Sequence, residues 1–159
     1  MTTHQPLSLC SAALGTFVLS LSTVPVAQQP ALDQVYDKTK QVVVTGMLIG
    51  SATTRPPYSV YLLISTRDAK GNVEQWAVEG DSIDELHRRG HKDDALTMGE
   101  VITVTGHPAR PGKRPEERMP KPVRGALERA FDLAKEGRLI YGTEITLESG
   151  TRIPFGRMR

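Results

Sequence analysis

The sequence predicts a mainly β protein: a small OB-like, five-stranded antiparallel barrel with a short helix between strands 3 and 4 and an inserted helix before the last strand. Three observations point there. Short β-branched runs recur between turn-forming stretches, a capped helical segment "DSIDELHRRG" follows the third run, and Gly46 sits inside the first, "QVVVTGMLIG". Three strands, a short helix and two more strands is the order of an OB barrel, whose helix plugs the gap between its third and fourth strands. A small antiparallel sandwich is the alternative, and the early helix argues against it.

The chain has 159 residues, enough for one compact core. Leu7 to Ala27 carries no charge, and its apolar centre of about ten residues matches a signal-peptide core rather than the roughly 20 residues that span a bilayer. Residues 1–27 read as an export signal cleaved after Ala27, which predicts a periplasmic or secreted protein with no transmembrane span in the mature chain. Residues 28–40 read as a polar lead-in. Residues 41–159 read as the barrel domain, with a basic loop and helix inserted over 108–137. Cys10 is the only cysteine. Without the leader there is no disulfide, no thiol nucleophile and no thiolate ligand, so packing alone holds the core.

The first strand, 41–50, is β-branched, with Gly46 placed as at a bulge or a sharp coil. "SATTRPP" is turn chemistry, since two prolines cannot continue a ladder. In the second strand, 58–66, Tyr58, Val60, Leu62 and Ile64 share one face. Lys70, Gly71 and Asn72 supply a hairpin turn, and Trp76 then shares a face with Val78 in the third strand, as a core residue rather than a stacking platform. Ser82 with Glu85 forms a capping box, and Gly90 is a stop, giving a helix of about two turns. "EVITVTGH" is the fourth strand. Over 122–136, Val123, Ala126, Leu127, Ala130, Phe131 and Ala134 fall at helical spacing, a stripe that would cover the barrel's open edge or else dock a partner. The last strand, in "RLIYGTEITLESGTRIPFG", turns at Ser149 and Gly150 onto a short partner.

The segments "YDKTKQVVVTGMLIG", "DAKGNVEQWAVEG", "LHRRGH", "ALTMGEVITVTGHPARPG" and "EITLESGTRI" together resemble a family of small exported bacterial proteins of unknown function with OB-like barrels. The resemblance covers residues 36–112 and 138–153. It implies a fold and a compartment, and no activity. Two departures stand out. Where family members carry Asn-Pro-His before the second strand, this chain has Arg55, Pro56, Pro57 and Tyr58, and where they carry a Trp after the helix glycine, it has His91.

Candidate chemistry is sparse. His87 and His91 stand four apart, and His107 could complete a zinc or copper site, but Gly90 ends the helix before His91 and no Glu follows His87 as in a zincin. These histidines read as exposed, and no metal or cofactor is expected. There is no G-x-S-x-G elbow and no phosphate loop, and the acidic pairs Asp93–Asp94 and Glu116–Glu117 are neighbours that point apart. No catalytic residue is assigned.

What remains is binding. Arg110, Lys113, Arg114, Arg118, Lys121 and Arg124 gather in a proline-stiffened loop beside the usual OB binding face. Tyr58, Tyr61, His107, Arg110, Lys113 and Arg114 form the expected contact surface. With 20 basic against 18 acidic residues the balance is too even for nucleic acid, so an anionic envelope component, an acidic protein or a small anion is the expected partner. The function class is a non-enzymatic binding module of the cell envelope. The alternatives are a metal-dependent or hydrolytic periplasmic enzyme and a purely structural envelope protein.

Overall fold

The computed structural model describes residues 32–53, 59–92, 94–112 and 125–158. Among the described residues six strands form one sheet: β1 (Val42–Thr53), β2 (Val60–Arg67), β3 (Val73–Glu79), β4 (Val101–Pro108), β5 (Leu139–Leu147) and β6 (Arg152–Pro154). Their order is β3-β2-β1-β4-β5-β6, and a parallel pairing of β3 with β5 closes the ring. The helices among the described residues are α1 (Leu32–Val35), α2 (Ile83–Arg88) and α3 (Ala126–Lys135). The five long strands, with α2 between β3 and β4, make the OB-type barrel that the element order predicts. β6 is the short partner that follows Ser149 and Gly150, paired antiparallel to β5.

β1 serves two neighbours. Its first half pairs with β4 and its second half with β2, so the strand must coil sharply between them. Gly46 permits the coil: a Cβ there would stand 2.3 Å from the Ser65 carbonyl oxygen of β2. The bulge itself lies further on, between Leu48 and Gly50, so Gly46 is the point of close approach rather than the bulge.

Two apolar clusters form on opposite sides of the barrel wall. Inside, Val44, Leu48, Leu62, Ile64, Val78, Val104 and Ile145 interdigitate, with Phe155 from the C-terminal tail seated among them and Trp76 packed at their margin. Outside, Tyr61, Leu63, Ala77, Leu139 and Tyr141 lie under Ala130, Phe131 and Leu133 of α3. Val60 to Ile64 are therefore all buried, because β2 is covered on both faces. α3 covers the outer face of β2 and β3, and there is no open edge beneath it because β5 occupies that place. Val123, from the predicted stripe, lies outside the described residues.

Residues 32–40 of the lead-in pack on the barrel. The Asp37 amide donates to the Pro108 carbonyl at 2.9 Å, the Arg110 amide to Val35 at 2.7 Å, and Tyr36 bridges Ala109. Val35 and Tyr36 thereby join the outer cluster, so a boundary at residue 40 does not divide packed from unpacked chain.

Candidate functional site

The expected contact surface is only partly brought together. Tyr58, Lys113 and Arg114 lie outside the described residues. Tyr61 is 3% exposed and meets the Phe131 ring edge-on at 5.8 Å, so it offers no face to a ligand: the helix that follows the basic loop has taken its place on the barrel. His107 donates through Nδ1 to the Lys40 carbonyl at 2.7 Å. Arg110 donates to the Asp33 carbonyl at 3.3 Å and stands 3.8 Å from the Asp37 carboxylate. Both residues fasten the lead-in to the end of β4. Asp37 also accepts from the Thr39 hydroxyl at 2.6 Å, and that bond, ahead of the Thr39 amide and the charges of Arg110 and Lys40, holds its pKa below the ordinary carboxylate value.

A cavity of about 450 Å³ opens at the end of the barrel beside α2. Its floor is barrel interior: Val60, Leu62, Leu86, Ile153 and Phe155 are all buried. Ser51 and Thr53 from β1 form one side. Ile83 and His87 from α2, then His91, Lys92, Ala95, Leu96 and Met98 from the connection to β4, form the other.

Local sequence explains why His91 reaches this cavity. Ser82 caps α2 by accepting the Glu85 amide at 3.3 Å. At the other end the Gly90 amide donates to His87 at 2.8 Å and the His91 amide to Leu86 at 3.1 Å, the paired bonds of a Schellman turn. That turn needs a left-handed residue, and Gly90 has φ +84°. The chain then folds back on the helix end, and His91 is half-buried with Nε2 shielded from solvent and without a hydrogen-bond partner. The expectation that it is an exposed histidine is thus corrected, because the turn after Gly90 directs it inward. His87 is exposed on the rim. Among the described residues no three His, Cys, Asp or Glu side chains gather as a metal ion would need.

A second polar feature escaped sequence reasoning. Glu79, at the end of β3, is 1% exposed and accepts from the hydroxyls of Tyr36, on Oε2, and Ser59, on Oε1 at 2.6 Å. Asp81 accepts the Tyr141 hydroxyl on Oδ1 and the Arg157 amide on Oδ2 at 3.2 Å, and Oδ2 also forms an ion pair with the Arg89 guanidinium. The rings of Tyr36 and Tyr141 stand 5.4 Å apart. Charge-assisted bonds of this kind are strong. Neither carboxylate lines the cavity, and the cluster ties α1, β3, β5, α2 and the tail together. An acidic residue at a strand end gives no signal of such burial. The closure of β3 onto β5 sets Tyr141 beside Glu79, and the bridge of Tyr36 to Ala109 brings the other tyrosine.

Among solved structures, the chain is similar to the crystal structure of a small single-stranded DNA-binding protein from Streptomyces coelicolor. The identity is 13% and the TM-score 0.40, over 70% of this chain and 96% of that one. The search of curated proteins finds no match. The model of a family of unknown function, DUF6152, matches residues 17–117, more than half of the chain. The OB-like barrel, the Trp-bearing third strand and the glycine-ended helix thus lie in a chain that belongs to the DUF6152 family of unknown function.

Proposed function

We propose that this protein is an exported, non-enzymatic binding module that holds a small, mainly apolar ligand in the mouth of its barrel. One observation carries the reading: a cavity of about 450 Å³, floored by buried barrel side chains and rimmed by a few polar ones. Small-molecule sites have this size and this composition. The outer face of strands 2 and 3, which OB-folds offer to oligonucleotides, lies under α3, and this weighs against a nucleic-acid partner there. Export rests on the uncharged run from Leu7 to Ala27. The basic loop beyond Arg110 remains a candidate for a second contact with an anionic envelope component.

The test uses N-phenyl-1-naphthylamine, a neutral dye that fluoresces in apolar sites. The leader-free protein should bind it in a one-to-one ratio, and Ala95→Trp, which fills the cavity, should abolish the signal while far-UV circular dichroism is unchanged. If Ala95→Trp does not fold, Met98→Trp on the exposed rim serves instead. A wild-type protein that leaves the dye dark overturns the reading. Export is checked separately by the mass of the protein from its own envelope fraction, which should begin near Gln28.

A further inference from the structure

We infer that the mouth cavity takes an aliphatic monocarboxylate, its chain on the barrel floor and its carboxylate between His91 and Lys92. This inference rests on the reading that the cavity is a ligand site, and adds the chemistry of the ligand.

The lining is mainly apolar, and its ionisable groups stand on one side and are all basic: His87, His91 and Lys92, with no Asp or Glu among the described lining residues. An acyl chain can lie on Leu62, Leu96 and Phe155, whose contact with it is non-directional and tolerates different lengths. The head group is specified more closely. His91 lines the same side of the cavity, and its Nε2 is buried without a partner; a buried polar atom left unsatisfied calls for an explanation, and a turn of the ring toward a bound carboxylate supplies one. Lys92 is exposed on the same rim and makes no ion pair among the described residues, so its ammonium is available to an anion. Ser51 and Thr53 add hydroxyls on the opposite side. One lysine and a histidine suit a single negative charge. A phosphate dianion calls for more donors, typically an arginine fork, and no arginine is among the described lining residues.

The experiment displaces N-phenyl-1-naphthylamine from the leader-free protein with decanoate, decanol and decyltrimethylammonium, which share a chain and differ in charge. Decanoate should displace the dye at a concentration at least tenfold lower than decanol, and decyltrimethylammonium should be the weakest. Lys92→Gln and His91→Gln should each remove most of that advantage and leave decanol unchanged. If the dye binds but decanoate and decanol compete equally, the carboxylate inference fails and the cavity reading survives. If the dye does not bind at all, the cavity reading fails and takes this inference with it. Zinc-dependent heat that vanishes in His87→Gln would assign the histidines to a metal and also overturn it.

Discussion

Tyr36, just past α1, donates its hydroxyl to Glu79 at the far end of β3, so the start of the described chain is tied to a carboxylate that is almost wholly removed from water. A buried carboxylate that loses a donor bears a desolvation cost of about 1–3 kcal/mol. Tyr36→Phe, which keeps the ring against Tyr141, should lower stability by about that amount, read as a fall in the urea midpoint with an unchanged slope. Glu79→Gln should cost less than Glu79→Ala, since the amide oxygen can still accept a hydroxyl.

Phe131 is 6% exposed, and its ring closes over Tyr61. Truncation of a buried Phe to Ala typically costs about 3–5 kcal/mol. Phe131→Ala should therefore lower the melting temperature by several degrees, and Phe131→Asp should not give a folded monomer. A Phe131→Asp protein that melts like wild type would show that α3 is not needed to cover the barrel wall.

Gly46→Ala should be as damaging as a core truncation despite adding one methyl group. The new Cβ would meet backbone, the Ser65 carbonyl oxygen and carbon at 2.3 and 2.9 Å, and backbone in a sheet cannot swing aside as a side chain does. Overpacking of this kind costs about 1–3 kcal/mol. Amide hydrogen exchange should localise the damage to the β1–β2 pairing around Met47 and Ser65.

The acid side of the stability curve has two assigned contributors. The Thr39 hydroxyl holds the pKa of Asp37 down, and the Asn72 side chain does the same for Asp68 in the β2–β3 turn. A carboxyl whose folded pKa is depressed stabilises the fold above the unfolded value of about 3.9, and loses that effect as pH falls through the folded value. Both contributions should thus be constant near neutrality and disappear only in strong acid. Thr39→Val should move the Asp37 titration, followed by carboxyl carbon NMR, upward toward the ordinary value and leave Asp68 where it is.

The barrel was legible in the sequence because its interior follows a period of two: Val60, Leu62 and Ile64 on β2, and Ile102 and Val104 on β4, alternate with polar or outward residues. Ser82 and Gly90 marked the helix ends by chemistry that acts within a few residues. Tyr61 was not legible as a buried residue, because its burial comes from Phe131, on a helix brought over it by the closed topology. The site shows the same division. His87 and His91 drew notice by their spacing, yet the cavity they rim also needs Ser51 from β1 and Phe155 from the tail, and no local pattern joins those positions.

The parallel pairing of Ala77 with Leu139 joins strands that are far apart in the chain, and Phe155, which fills the interior, comes later still. Long-range closure of this kind makes folding slow, because much of the chain must be ordered before the contact forms. On the ribosome the consequence is sharper. A growing chain that has emerged only through β4 holds strands with no closing partner and an apolar inner surface with no plug, so it stays open to chaperones and to self-association until β5 and Phe155 have followed.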